Sequence, residues 1–172
     1  GDVDVDGTLE ADAYTLGGAA FIKVEGTNFT DSLLIGHATS GTLDAAARNT
    51  GVGIDALDAL TSGVDNTAVG YDAGTQITTG TNNTFLGKSA GDSVTTSTSN
   101  TGMGFYTLSA ITTGASNNTA VGRGAMKDSS GASADGNTAI GYAALEDTTG
   151  GYNIGIGNVA GDNITSGSGN II

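Results

Sequence analysis

A short phrase recurs along this chain at a nearly constant interval: Asn66-Thr67-Ala68-Val69-Gly70 is followed seventeen residues later by Asn83-Thr84-Phe85-Leu86-Gly87. The glycine closing each phrase can be traced as Gly36, Gly53, Gly70, Gly87, Gly104, Gly122, Gly141 and Gly157, with steps of 17, 17, 17, 17, 18, 19 and 16. A fixed short period marks a polypeptide that stacks like units along one axis, each unit touching only its neighbours. The 172 residues therefore predict an extended array. The core of such an array is thin.

Counting each unit from its asparagine, the fourth position is apolar throughout: Ile35, Val52, Val69, Leu86, Met103, Val121, Ile140 and Ile156. This column is the expected core. The third position is mostly small (Leu34, Gly51, Ala68, Phe85, Gly102, Ala120, Ala139, Gly155), which predicts an opposite face closely approached by a neighbouring chain. The second position holds threonine from Thr50 to Thr138, a strand-favouring choice. The asparagines Asn49, Asn66, Asn83, Asn100, Asn118, Asn137, Asn153 and Asn170 predict a ladder of amides bonding along the axis. Where the ninth position is large, as at Leu57, the spacing of Ala56-Leu57-Asp58-Ala59-Leu60 fits a single helical turn.

The expected fold is all-β, a parallel β-roll or β-solenoid with rungs of about 17 residues spanning 31–172. It comprises eight units and a truncated ninth, so the chain reads as a fragment or processed product of a longer protein. Residues 1–30 follow a different rule. Asp2-Val3-Asp4-Val5-Asp6 alternates with period two and Ala20-Phe21-Ile22-Lys23-Val24 is a second apolar run, so this part reads as a strand-rich connector.

Thirty glycines and no proline suit a backbone that turns often and keeps every N–H free for a ladder. A net charge of -13 opposes binding to nucleic acid or anionic membranes, and no apolar run approaches the 18 residues that a membrane span needs. Without cysteine there is no disulfide and no thiolate metal site. Asp2, Asp4, Asp6 and Gly7 match the first half of a calcium loop, but Ala13 stands where its bidentate carboxylate belongs, and a solvated strand face is preferred. The single histidine, His37, reads as a surface or corner residue; three copies at a symmetry axis could hold a metal. Acids on adjacent rungs (Asp55, Asp58, Asp65, Asp72) offer carboxylates for glycoside cleavage but suit a solvated acidic face better. No catalytic constellation is found and no cofactor is expected.

The sixth position carries the most informative surface column. Tyr71, Lys88, Phe105, Arg123 and Tyr142 follow one another on successive rungs, ring alternating with cation. At one strand spacing each cation falls within the roughly 6 Å range for a cation–π contact. The stripe suits a sugar, since rings cover apolar C–H surface while cations bond hydroxyls or acidic groups. It equally suits a self-stabilising ladder or part of an oligomer seam.

Phrases such as Asn66-Thr67-Ala68-Val69-Gly70-Tyr71-Asp72-Ala73 and Asn137-Thr138-Ala139-Ile140-Gly141-Tyr142-Ala143-Ala144 resemble the head repeats of trimeric autotransporter adhesins, and the related repeats of bacteriophage tail fibres. The opening Asp2-Val3-Asp4-Val5-Asp6-Gly7-Thr8-Leu9-Glu10 is similar to segments of phage tail proteins. The resemblance implies a left-handed β-roll, a homotrimer, and a place in a virion tail or on an extracellular surface. Its implied partners are its own copies, neighbouring fibre segments and a host-surface receptor such as a glycan. The repeat is longer than that of the best-known adhesin heads, which places the extra residues in the corner after the glycine. The expected function is a non-enzymatic structural and adhesive segment of a phage tail fibre. Alternatives are a bacterial adhesin head, a polysaccharide depolymerase on a stacked β scaffold, and an ice-binding solenoid using the threonine column.

Overall fold

The computed structural model describes residues 13–16, 19–26, 29–35, 45–130 and 133–172. Its strands are β1 (Ala13–Leu16), β2 (Ala19–Gly26), β3 (Phe29–Ile35), β4 (Ala46–Ala47), β5 (Thr50–Val52), β6 (Thr67–Val69), β7 (Thr84–Leu86), β8 (Thr101–Met103), β9 (Thr119–Val121), β10 (Thr138–Ile140) and β11 (Ile154–Ile156). No helix occurs among the described residues. β1, β2 and β3 pair antiparallel, and β3 then opens a parallel run through β5 to β11. Each parallel pair is in register, with Thr67 against Thr84 and Val69 against Leu86. The chain is a parallel β-solenoid. The second expected strand lies within β2, whereas Asp2–Asp6 and His37 fall outside the described residues.

The expected core column is reversed. Leu86, Met103, Ile140 and Ile156 are 40–59% exposed, and Ile35, Val52, Val69 and Val121 are half-buried, so the fourth position faces outward. The third position points in, with Leu34, Ala68, Phe85, Ala120 and Ala139 fully buried. Strand parity explains the reversal. Successive side chains in a strand alternate faces. The asparagine at the first position is buried, which commits the third inward and sends the second and fourth out.

A narrow interior demands that volumes complement one another, because cores are packed to crystal-like density. The third and ninth positions trade size. Where the ninth is large, the third is small, as in Gly51 with Leu57, Gly102 with Leu108, Ala120 with Met126 and Ala139 with Leu145. Phe85 inverts the pattern: its ring occupies the space beside Gly91, where an added Cβ would come within 2.5 Å of the ring. Ala56, Ala73, Ala90, Ala125 and Ala144 at the eighth position and Leu60, Ile77, Val94 and Ile111 at the twelfth complete the buried cluster.

The helical turn expected at Ala56–Leu60 does not form. Asp55 and Leu57 are both left-handed, each with φ of 58°, and the Leu57 N–H donates to Ala73 O on the next rung at 3.1 Å. Backbone donors in this corner thus bond along the axis as well as within the turn. Bulky residues rarely adopt this conformation. Burial of the leucine side chain offsets the strain.

The asparagine ladder forms as expected, but inside the solenoid. Asn66 Oδ1 accepts from Asn83 N at 3.1 Å and from Asn83 Nδ2 at 3.0 Å, while Asn83 Nδ2 also donates to Ser97 O at 2.9 Å. The same arrangement recurs from Asn49 to Asn170 with bonds spanning 16 to 19 residues. Variation in unit length is therefore absorbed elsewhere. Asn100 to Asn118 and Asn118 to Asn137 are one and two residues longer than the standard seventeen, yet β8, β9 and β10 stay in register. The surplus lies between the twelfth position and the next asparagine.

At the twelfth position of the tenth-strand unit the aliphatic column gives way to Thr148, fully buried with its hydroxyl unpartnered. An unpaired buried hydroxyl costs about 1–3 kcal/mol. Thr148→Val keeps the shape and removes the orphan. Thermal unfolding should shift upward by roughly 2–4 °C per kcal/mol gained; an unchanged or lowered midpoint would contradict the burial of this hydroxyl.

Candidate functional site

The residue that ends each phrase shapes the surface beside it. Gly53, Gly70, Gly87, Gly104, Gly122, Gly141 and Gly157 have φ between +127° and +139°, a region essentially reserved for glycine. They also stack closely: a Cβ on Gly87 would lie 2.5 Å from Gly104 O. This tight corner turns the chain sharply after the strand, and the next residue, at the sixth position, emerges on the outer surface at the same place on every rung.

The five residues of the sequence stripe are brought together in one line. Lys88 Nζ lies 5.5 Å from the Tyr71 ring centroid and 5.7 Å from that of Phe105. Arg123 Cζ lies 5.7 Å from the Phe105 centroid and 5.4 Å from that of Tyr142. Tyr71, Lys88, Arg123 and Tyr142 are exposed and Phe105 is half-buried. Each cation is thus bracketed by two rings, at contacts worth about 0.5–1 kcal/mol apiece on an exposed surface.

Sequence reasoning missed the residues beside the stripe. A cleft of about 240 Å³ is lined by Phe105, Tyr106, Arg123, Lys127, Tyr142 and Glu146. Tyr106 is left-handed, with φ of 56°, and its ring centroid lies 4.2 Å from that of Phe105 at a 56° tilt. Lys127 and Glu146 occupy the tenth position of consecutive units, and Lys127 Nζ contacts Asp128 at 3.0 Å and Glu146 at 3.5 Å. The signal for the cleft was the spacing of the tenth position, four residues after the stripe on the same turn. It becomes legible only once the corner's left-handed geometry is known.

The basic residues divide by partner. Arg48 makes a two-pronged contact with Asp65, at 2.6 and 2.8 Å, which holds the Asp65 carboxyl below its usual range. The hydrogen bond to Asp128 raises Lys127 above the ordinary lysine range. Lys88 and Arg123 make no ion pair among the described residues, although the chain carries 18 acids against 5 bases. None of the four acids considered for glycoside cleavage lines the cleft: Asp65 is tied to Arg48, and Asp72 and Asp55 lie beside Tyr71, whose hydroxyl their charge pushes up, Asp72 the more strongly. Burial, then the charge of Asp72, raises the half-buried Asp92 carboxyl. No cluster of three or more metal-ligating side chains occurs among the described residues, and Asp2, Asp4 and Asp6 lie outside them. Comparisons with protein-family models, with curated proteins and with solved structures found no match.

Proposed function

We propose that the array is a non-enzymatic structural and adhesive segment of a left-handed, homotrimeric extracellular fibre of the phage-tail type, attaching to a host surface and joined to neighbouring fibre segments. The observation that carries this reading is the outward aliphatic column. Val52, Val69, Leu86, Met103, Val121, Ile140 and Ile156 form one continuous apolar line, flanked by the outward threonines of the second position. Exposed apolar patches of this extent mark association surfaces.

Further copies of the same chain fit this face better than an unrelated partner. Their columns repeat at the same strand spacing, so side chains meet in register along the whole length. The face also carries no charge, in a chain whose net charge is -13. Copies can approach there with little desolvation of ions. The stripe at the sixth position, on the far side of the glycine corner, is then free to meet a receptor.

Mass measured by sedimentation should lie near three times 16.7 kDa. The outward Leu86→Asp and Met103→Asp changes together should reduce the mass to that of one chain, with the far-ultraviolet spectrum of the rod retained. A wild-type protein that stays monomeric at micromolar concentration would sink the fibre reading. A monomer with measurable thermal hysteresis would instead favour the ice-binding reading, because Thr67 and Thr84 are exposed on that same face.

A further inference from the structure

We infer that the cleft at Phe105, Arg123 and Tyr142 is a binding site for an acidic polysaccharide that carries a carboxylate on every second sugar. This deepens the adhesive reading and rests on it for the biological setting, although the binding itself is measurable independently.

Arg123 is held between two rings, yet rings accept none of its five N–H donors as a carboxylate would. Among the described residues no hydrogen bond or ion pair occupies those donors. With its faces covered, a guanidinium offers its edges, and the edge geometry matches a planar carboxylate through two parallel N–H···O bonds. The rings restrict the side chain in advance, so less freedom is lost on binding. In a chain rich in acids, such a donor set left without a carboxylate awaits an anion from outside.

Tyr106 and Tyr142 supply rings suited to the apolar face of a pyranose, Phe105 being covered by Lys88 and Arg123, and Glu146 with Lys127 supplies an acceptor and a donor for hydroxyls. Lys127 is already neutralised by Asp128 and Glu146, so Arg123 is the one cation in the cleft without a carboxylate partner. The volume of about 240 Å³ lies below the ~300 Å³ at which drug-sized sites begin, and so admits one sugar ring at a time.

Lys88, which has no ion pair among the described residues either, lies two rungs from Arg123 along the same stripe, with Phe105 between them. Two strand spacings are roughly 9.6 Å. That is about the length of two pyranose residues in an extended chain. A glycan running along the stripe would place one acidic sugar at Arg123, a neutral one near Phe105 and the next acidic one at Lys88.

Calorimetric titration of the wild-type protein with four octasaccharides tests this: a hyaluronan fragment with glucuronate at alternate residues, the same fragment with its carboxyls reduced to alcohols, a polygalacturonate fragment, and maltooctaose. The hyaluronan fragment should bind, more weakly as salt is raised, and the reduced fragment and maltooctaose should bind roughly tenfold to hundredfold less well. Arg123→Gln and Lys88→Gln should each cause a loss in the same range, with the solution mass and circular dichroism of the wild type. Equal binding of the reduced fragment, unaltered binding by the variants, or no binding of any acidic fragment would overturn the proposal. Polygalacturonate bound more tightly than hyaluronan would overturn the neutral sugar at Phe105. Attachment to host cells without binding to any acidic fragment would leave the adhesive reading standing and remove this one, and a monomer that binds the hyaluronan fragment would do the reverse.

Discussion

Replacing Gly87 with valine is expected to abolish folding of the array. The backbone there has φ of +136°, and any Cβ would sit 2.5 Å from Gly104 O and 2.7 Å from its carbonyl carbon. Both obstacles are backbone, so no side-chain rotation relieves them. The conformational cost alone is about 1–3 kcal/mol for a residue with a side chain. The clash adds to it by forcing two rungs apart, which breaks the bond from Gly87 N to Val69 O at 2.8 Å and that from Gly104 N to Leu86 O at 2.8 Å. Urea unfolding should show the strand signal missing or the unfolding free energy lowered by several kcal/mol. Lys88→Ala, one residue on and exposed, should cost no more than the roughly 1–2 kcal/mol of its two cation–π contacts, with the strand signal retained. Equal behaviour of the two variants would refute the role of the glycine corner.

Asn83→Leu should cost about 3–5 kcal/mol, the second-largest effect. The side chain of Asn83 donates to Asn66 Oδ1 and Ser97 O and accepts from Asn100 N at 3.0 Å. Leucine is close in size and more apolar, so a contribution from packing alone would favour it. It would nevertheless leave a buried N–H and a carbonyl without partners, at about 1–3 kcal/mol each. Denaturant midpoints for Asn83→Leu and for the exposed Gln76→Leu separate the two effects. A stabilised Asn83→Leu protein would show that the ladder is ornament to a hydrophobic core.

The rung period, the parallel in-register strands and the asparagine ladder could be read from the sequence because each leaves a residue type at a constant interval. Which face of the strand is buried could not be read by the same means. A uniformly aliphatic column at Val69, Leu86 and Met103 resembles a core, and a column of glycine and alanine resembles a contact surface. The reverse holds because the interior is narrow: small residues at the third position are what fit opposite Leu57, Leu108 and Leu145. The sequence does contain a trace of this in the inverted pair of Phe85 and Gly91. A bulky residue matched by a missing one six positions later in the same unit signals two positions sharing one space.

The aromatic and cationic stripe was legible for the same reason as the strands, one residue per rung at a fixed offset. The cleft beside it was not. Tyr106, Lys127 and Glu146 reach it only because left-handed residues at the seventh and ninth positions swing the corner outward, and no residue preference announces left-handed tyrosine or leucine. Asp55 and Leu57 show the same difficulty, where spacing suggested a helical turn and inter-rung hydrogen bonding imposed another path.

The corner that takes up the one- and two-residue surplus before Asn118 and Asn137 has a further meaning. Because the buried amides and the glycine stack fix where each storey begins, foreign peptide spliced near Thr113 or Gly114 would bulge outward without disturbing the storeys above and below. Evolution and engineering alike could decorate one edge of this scaffold while leaving its thread pitch alone.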